Sequence, residues 1–342
     1  MEQPSIAEKT ATDREFSKKR GVSDEPALPE KPPAQKRPRK SAKSPSDKNR
    51  PVAKTKQTTD GEDGRVRRLA LLDWGRNSRI ADLVERIEPR KTRHDVVLSA
   101  ENVRVFLGLI EEFRRGDTLR RHALPVRSRL LFCGPPGCGK TLTAEIFAHE
   151  LGLDLLVVRL DAVISSFLGE TATNIRSIFE ATERVPCVVF FDEFDALARA
   201  RADGTEHNEL RRVVNSLLML IDRFKGRGFL IAATNLEESL DGALWRRFDD
   251  VVYFDQPSKT QIRKMLALKT KNFPAAFDLS DRADDLAGMS YADIERICIG
   301  AIKKAVLDRR RLMSEKDFAV ALLEERRRKN VKRRVRKAFS AE

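Results

Sequence analysis

The sequence predicts an α/β protein in which a parallel sheet flanked by helices is followed by a small helical domain, here called the lid. Three observations lead to this prediction. Short apolar runs alternate with helical patterns in the middle of the chain, only helical patterns follow Pro257, and the first 75 residues have the composition of a disordered arm. The predicted segments are a disordered basic arm at 1–75, a helical linker at 76–127, the α/β domain at 128–256, the lid at 257–325 and a basic tail at 326–342.

The positive charge of the chain is concentrated at its two ends. The 342 residues carry a net charge of +14, and residues 1–68 hold 18 lysines and arginines against 11 acidic residues. Residues 326–342 hold 9 lysines and arginines against 1 acidic residue. The N-terminal arm has too few aromatic residues to bury the apolar surface that would offset its ordering entropy. No apolar stretch has the length of a membrane span, and the N-terminus lacks a signal-peptide core, so we expect a soluble, cytoplasmic protein.

Five apolar runs predict the strands of the α/β domain, because each is short enough to be one buried strand. Between the runs, apolar residues recur at spacings of three and four, as over 213–221, which is typical of amphipathic helices. Such alternation favours a parallel sheet, with ligands at the carboxyl ends of the strands. The five runs are 129–133, 155–160, 187–191, 229–233 and 251–254.

A complete phosphate loop, G-x-x-x-x-G-K-T, directly follows the first run and reads Gly134-Pro135-Pro136-Gly137-Cys138-Gly139-Lys140-Thr141. The strand before it and the helix predicted at 142–151 supply the context that this motif needs. The glycines let successive N–H groups point at an anion, and the helix N-terminus adds a positive end. Lys140 would reach the β- and γ-phosphates of a nucleotide, and the Thr141 hydroxyl would hold Mg²⁺.

Acidic residues follow the third apolar run, in Phe191-Asp192-Glu193-Phe194-Asp195. A buried strand that continues into acids places carboxylates at its carboxyl end, where they face the phosphates. Asp192 would complete the Mg²⁺ site with Thr141, and Glu193 would orient or deprotonate an attacking water. Asn235, which closes the fourth run, could hydrogen-bond that water or the γ-phosphate.

Two adjacent arginines, Arg246 and Arg247, precede the last apolar run. Such a doublet is commonly a solvated surface pair. It could instead reach the nucleotide of a neighbouring subunit, where an arginine in trans is worth about 10³–10⁵ in rate.

The four cysteines show no paired spacing of the kind that binds metal ions, so reduced structural thiols are expected. Cys138 lies inside the phosphate loop, and we expect it to be the exposed one of the four.

These motifs, in this order and spacing, resemble the AAA family of ring-forming ATPases, from about Arg79 to Leu323. The resemblance implies that residues 134–141 are the Walker A loop for ATP, and that Asp192 and Glu193 are the Walker B pair. It also implies that Asn235 is the first sensor, that Arg247, alone or with Arg246, is the arginine finger, and that the lid segment around Ala292 touches the nucleotide.

The resemblance further implies a homo-oligomeric ring, a hexamer, that acts on a polypeptide. In the family, an aromatic residue followed by a small apolar residue and Gly grips the substrate in the central channel, and Phe167 and Leu168 occupy those positions. A Phe167 buried beneath its loop is the alternative. The compact segment around Arg246 looks most like stand-alone bacterial members, some of which act beside a protease, so a partner protease is a hypothesis.

The basic ends leave a second function open. In the tail, Val331, Val335 and Phe339 recur every fourth residue on a basic background, which predicts an amphipathic helix that meets nucleic acid or an anionic membrane, or a solvated extension of the last lid helix. The basic cluster at 36–40 could be a localisation signal, a nucleic-acid contact or part of the charged arm. The leading function is a Mg²⁺-dependent ATPase that remodels or threads proteins, and the alternative is an ATP-gated assembly or nucleic-acid-loading factor.

Overall fold

The computed structural model describes residues 83–160, 168–195, 208–235 and 242–339. The predicted N-terminal arm and Phe167 lie outside the described residues. Leu168 is the first residue of a helix. No helix in the described ranges is long and apolar enough to cross a membrane.

Six strands form one sheet in the order β1-β3-β4-β5-β2-β6. Strands β2 to β6 are parallel to their neighbours, and β1 pairs antiparallel with β3 at one edge. The fold class predicted from the sequence is thereby confirmed. The strands are β1 (Val84–Ile87), β2 (Arg129–Cys133), β3 (Asp154–Val158), β4 (Cys187–Phe191), β5 (Phe229–Thr234) and β6 (Asp250–Tyr253).

Helices cover both faces of this sheet, so the central strands are buried on two sides and read as continuous apolar runs. Along β2, Leu131 packs on one face with helices α4 and α5, and Phe132 packs on the other with α1 and α3. The helices of this part are α1 (Ala100–Arg114), α2 (Gly116–Arg121), α3 (Lys140–Leu151), α4 (Leu168–Arg184), α5 (Asn208–Asp222) and α6 (Gly242–Trp245).

The prediction of a helical linker at 76–127 is wrong at Val84–Ile87, which form the edge strand β1. Only Val84 of these four residues is buried, while Glu85 and Arg86 are exposed. An edge strand this short carries neither a continuous apolar run nor a clean alternation, so the sequence offered no strand signal there. Helices α1 and α2 occupy the later part of that segment, and the Ser99 side chain caps α1 by accepting the Asn102 N–H.

The lid contains α7 (Lys259–Thr270), a 3₁₀ helix (Leu279–Leu286), α8 (Tyr291–Leu307) and α9 (Glu315–Phe339), which enclose a core of their own. Capping boxes at Ser258 and Ser290 fix where α7 and α8 begin. Helix α9 continues from the lid through Phe339, so most of the predicted basic tail is an extension of the last lid helix.

Candidate nucleotide-binding site

The phosphate loop joins β2 to α3, and its glycines adopt a backbone that other residues rarely take. Gly134, Gly137 and Gly139 have φ angles of +135°, +79° and +93°. At Gly134 a Cβ atom would lie 2.1 Å from the backbone oxygen of Phe254, just beyond β6. The absence of a side chain at Gly134 therefore allows the loop to pass close to the end of the neighbouring strand.

Lys140 is the first residue of α3, and its side chain folds back over the loop. Its ammonium group donates to the backbone oxygens of Gly134 and Pro135, at 2.5 and 3.1 Å, and to Asn235 Oδ1 at 2.7 Å. Only 6% of the residue is exposed, and burial lowers the pKa of Lys140. The three acceptors are neutral, so an anionic group in the loop would add the charge partner that this cation lacks among them.

Thr141 and Asp192 approach each other across the end of the sheet, since the Thr141 hydroxyl donates to Asp192 Oδ2 at 2.9 Å. A hydroxyl and a carboxylate form a hard oxygen donor set, which fits Mg²⁺. Within the described ranges no cluster of three His, Cys, Asp or Glu side chains could hold a metal ion. Two protein ligands are nonetheless sufficient, because Mg²⁺ usually takes its remaining ligands from water and substrate phosphates.

Glu193 follows Asp192 at the end of β4 and is exposed. Its φ of +51° is unusual for a residue with a side chain. Asp192 Oδ1 accepts the Glu193 N–H at 2.9 Å, and the Phe194 N–H donates to the Ala233 oxygen at 2.8 Å. The turn is thus fastened to its own carboxylate and to β5, which holds Glu193 at the cavity wall.

Asn235 lies at the end of the adjacent strand, β5, with its backbone N–H 3.4 Å from Asp195 Oδ1. The Thr234 hydroxyl also donates to that oxygen, at 3.5 Å, and Asp195 is only 3% exposed. The sequence reasoning gave no role to Asp195, although it follows the acid pair by two residues. The feature that marks Asp195 is the burial of its carboxylate beside β5, and burial at a turn cannot be predicted from local sequence.

The phosphate loop opens into a cavity of about 350 Å³ between the α/β domain and the lid. This is within the usual range of about 300–1,000 Å³ for small-molecule sites. Its lining brings together the sequence-predicted residues Pro136, Gly137, Cys138, Gly139, Lys140, Thr141, Asp192, Glu193, Asn235 and Ala292. Gly134 and Pro135 are not part of this lining, but their backbone oxygens accept hydrogen bonds from Lys140. Residues that the sequence reasoning missed complete the lining, and they are Asp95, Val96, Val97, Leu142, Met265, Lys269, Tyr291 and Glu295.

The lid touches the phosphate loop through the first turn of α8. The Ala292 N–H donates to the Gly137 oxygen at 3.1 Å. A Cβ atom on Gly137 would lie 2.8 Å from Ser290 Oγ and 3.1 Å from Ala292 Cβ. Tyr291, between these two residues, is half-buried, and burial raises its pKa to about 12, so its phenol stays neutral. The loop and the lid are therefore in direct contact at Gly137.

Arg246 and Arg247 follow α6, and neither lines the cavity of its own chain. Arg247 forms an ion pair with Asp222 at the end of α5 and donates to the Leu218 oxygen at 3.2 Å. Its Nε is buried, and among the described residues it has no hydrogen-bond partner. Arg246 is exposed. The two adjacent residues are thus in different environments.

The expectation that Cys138 is exposed is wrong, since the residue is only 3% exposed. Its side chain packs in the apolar cluster on the α1 and α3 side of the sheet, because the loop turns it inward. Burial raises the pKa of the Cys138 thiol, which opposes formation of a reactive thiolate. Cys133, Cys187 and Cys298 are buried as well.

A parallel sheet with a G-x-x-x-x-G-K-T loop after a strand, and with acids after a neighbouring strand, defines a P-loop nucleotide-binding protein. Residues 130–256 match the family model of the ATPase family associated with various cellular activities (AAA). The chain is 62% identical over 249 residues to the uncharacterized AAA family ATPase y4kL of Sinorhizobium fredii, covering 73% of this chain and 76% of that protein. The chain belongs to the AAA family, and the resemblance seen in the sequence is confirmed.

More distant relatives are longer than the matched region. The chain is 33% identical, over 70% of its length, to the cell division cycle protein 48 homolog of Archaeoglobus fulgidus, and the match covers 33% of that protein. It is 32% identical, over 68% of its length, to the ATP-dependent zinc metalloprotease FtsH of Halothermothrix orenii, and the match covers 39% of that protein. The similarity to these two proteins therefore concerns about a third of each.

Proposed function

We propose that this protein binds ATP with Mg²⁺ in the cavity between the phosphate loop and the lid, and that it hydrolyses the bound ATP. The observation that carries the proposal is the convergence of four polar side chains on the loop. Lys140 contacts Asn235 at 2.7 Å, and Thr141 contacts Asp192 at 2.9 Å. The loop N–H groups and Lys140 would hold the phosphates, and Thr141 and Asp192 would hold Mg²⁺, which neutralises charge that develops on the phosphates.

The lining of the cavity suits both parts of ATP. The phosphate loop supplies one part of the lining, and Val96, Val97, Met265 and Tyr291 add apolar surface. The charged residues Asp95, Lys269 and Glu295 also contribute to the lining. An apolar wall of this kind suits the faces of a nucleobase. Glu193 is the candidate general base, because it is exposed at the cavity wall one residue after Asp192. Asn235, which accepts a hydrogen bond from Lys140, would orient the γ-phosphate or the attacking water.

Isosteric substitution separates binding from hydrolysis. Glu193→Gln should keep ATP affinity within about twofold and lower turnover by about 10²–10⁴, because a general base contributes that much. Lys140→Ala should lose tight ATP binding. Glu180→Gln is the matched control, because Glu180 is exposed on α4 and does not line the cavity. Wild-type turnover by Glu193→Gln would disprove the assignment of the base, and undiminished ATP affinity in Lys140→Ala would disprove the site.

The active form is a homo-oligomeric ring, a hexamer by analogy with the family, in which an arginine of one subunit reaches the nucleotide of the next. The placement of both arginines away from their own cavity supports this arrangement. The family resemblance implies Arg247, alone or with Arg246, as the arginine finger. We assign the contact to Arg246 instead, because it is exposed, whereas Arg247 is paired with Asp222 and would hold the segment in place. The trans contact would stabilise charge on the transferred phosphoryl group.

Subunit mixing tests the arginine assignment. Arg246→Ala should lower turnover without changing the melting temperature, and Arg247→Ala should lower the melting temperature as well. Mixtures of Arg246→Ala and Lys140→Ala subunits should regain turnover, because an intact arginine then meets an intact phosphate loop at some interfaces. Failure to regain turnover at every mixing ratio would contradict an arginine that acts in trans.

The ring is proposed to remodel or thread polypeptides in the cytoplasm, with Phe167 and Leu168 gripping the substrate and a partner protease as a further hypothesis. Support comes from the family and from the position of Leu168 at the start of α4. This helix precedes β4, the strand that Asp192 and Glu193 follow. Phe167 precedes Leu168 in the sequence and lies outside the described residues. Phe167→Ala should keep basal ATPase turnover and lose its stimulation by an unfolded protein. Full stimulation in that variant would contradict the threading role.

A further inference from the structure

The last four turns of α9 are strongly basic, and most of their described Lys and Arg side chains are exposed. We define the C-terminal basic segment as residues 326–339, in which nine of the twelve residues from 326 to 337 are Lys or Arg. Lys332, Arg333 and Arg334 are exposed, and within the described part of the chain they form no ion pair. A cationic helix of this kind leaves its charge available to a polyanion.

The dimensions of the segment match the charge spacing of a nucleic-acid duplex. Residues 326–337 extend about 18 Å along the helix, at about 1.5 Å per residue. A duplex presents about ten phosphate charges over that length. Membrane-bound amphipathic helices carry Trp, Phe or Leu on a broad apolar face. The large apolar residues of this segment are Val331 and Val335, which are exposed, and Phe339, which is its one aromatic residue. Three such residues at every fourth position make a narrow stripe, and one aromatic residue does not make the series of platforms on which single-stranded bases stack.

One residue of the segment connects it to the lid contact with the phosphate loop. Lys329 Nζ lies 2.5 Å from Asp293 Oδ2, and Asp293 is only 7% exposed. Asp293 is the third residue of α8 and forms the capping box with Ser290. Ala292, the residue before it, donates its N–H to Gly137 of the loop. A single buried carboxylate thus links the basic segment to the wall of the nucleotide cavity.

The other charges around Asp293 are also fixed. Arg296 forms ion pairs with Asp293 and with Glu325, the latter at 2.8 Å. Glu325 is 6% exposed and lies 3.6 Å from Arg328. Removal of Lys329 from this cluster would leave Asp293 with Arg296 as its cationic partner, which weakens the charge balance at the cap of α8.

We propose that the C-terminal basic segment binds the phosphate backbone of double-stranded nucleic acid without sequence preference, and that Lys329 couples this binding to the nucleotide cavity. A backbone phosphate that takes Lys329 from Asp293 loosens the cap at Ser290 and the contact of Ala292 with Gly137. Duplex binding therefore lowers ATP affinity, and by thermodynamic reciprocity ATP lowers duplex affinity by the same factor, about fivefold or more. The coupling rests on the proposed ATP site, whereas the duplex contact does not.

The first measurement is binding of a fluorescent 20-base-pair duplex of arbitrary sequence to the full chain at several salt concentrations. The logarithm of affinity should fall with the logarithm of salt concentration with a slope of about −3 or steeper, because at least three unpaired cations are available. Lys329→Met and Lys332→Met should each reduce the slope by about one. Binding without salt dependence would overturn the proposal, as would tighter binding to phosphatidylserine vesicles than to the duplex.

The second measurement is duplex affinity with and without a non-hydrolysable ATP analogue. Lys332→Met is the matched control, since it removes the same charge without touching Asp293. The ATP effect should persist in Lys332→Met and disappear in Lys329→Met. Asp293→Asn should lose the ATP effect with its duplex affinity unchanged or higher, because every cation of the segment remains. Equal ATP effects in all variants would overturn the coupling. Duplex binding in a chain with no affinity for the analogue would refute the proposed ATP site and the coupling while supporting the duplex contact.

Discussion

Gly137→Ala tests the contact between the phosphate loop and the lid, and Gly139→Ala is its matched control. Both glycines have positive φ, +79° and +93°, so alanine at either position costs about 1–2 kcal/mol of backbone strain. Ser290 Oγ would lie 2.8 Å from a Cβ added at Gly137, whereas no atom of the described residues lies within 4 Å of a Cβ added at Gly139. The pair therefore separates backbone strain from displacement of the lid.

Gly137→Ala has an additional cost in unfolding free energy, because the lid must move to make room for the new methyl group. The added methyl group pushes the first turn of α8 away and breaks the 3.1 Å hydrogen bond from the Ala292 N–H to the Gly137 oxygen. A hydrogen bond of this kind contributes about 0.5–1.5 kcal/mol. The total for Gly137→Ala is then about 1.5–3.5 kcal/mol of unfolding free energy, against about 1–2 kcal/mol for Gly139→Ala.

Hydrogen exchange followed by mass spectrometry measures this difference where it arises. The peptide that contains Ala292 should exchange about fivefold faster in Gly137→Ala than in Gly139→Ala, because about 1 kcal/mol of local stability corresponds to that factor. Urea unfolding supplies the global values for the same proteins. Equal protection of Ala292 in the two variants would refute the contact.

Three further predictions concern single residues. Gly134→Ala should destabilise the protein more than either loop variant above, measured by thermal unfolding, because its Cβ would lie 2.1 Å from the Phe254 oxygen and that strand end cannot yield as a flexible side chain would; a wild-type melting temperature would contradict this. Cys138 should react slowly with a thiol reagent at pH 8 in the folded protein and rapidly in urea, since it is buried and burial raises its pKa; rapid labelling of the folded chain would show that the loop opens. Burial raises the pKa of Asp293, but the hydrogen bonds from Lys329 and Ser290 together lower it by more. The net pKa of Asp293 is therefore below its usual value of 3.8. The stability that Asp293 contributes is thus fully present above about pH 4 and is lost as the pH falls below that value, and Asp293→Asn should flatten the acid side of the unfolding curve.

The sequence predicted those elements whose burial or chemistry is evident from a few consecutive residues. Strands β2 and β4 were predicted with their observed bounds, because each is buried on both faces and is therefore apolar at every position or nearly so. The phosphate loop, Asp192 and Glu193 were found because their chemistry depends on neighbours in sequence. Strand β1 was missed, because an edge strand with a single buried side chain has no pattern to recognise.

The missing parts of the candidate site come from long-range packing. Val96 and Val97 reach the cavity from the segment before α1, and Met265 reaches it from α7. Their approach to the loop depends on how the lid docks, which no local spacing reveals. The different environments of Arg246 and Arg247 likewise depend on Asp222, which lies on another helix. The local sequence around Arg246 and Arg247 therefore does not distinguish the two arginines.

The continuity of α9 has a mechanical consequence. The helix runs unbroken for 25 residues, from Glu315 to Phe339, and so is about 37 Å long at about 1.5 Å per residue. A rigid rod of that length turns a lid rotation of about 10° into a displacement of about 6 Å at its far end. A lid movement that is too small to detect at Gly137 would therefore be measurable at Ala338, which is exposed and can carry a spectroscopic label. The same leverage works in reverse, because a modest force applied at the tip exerts a large torque on the lid.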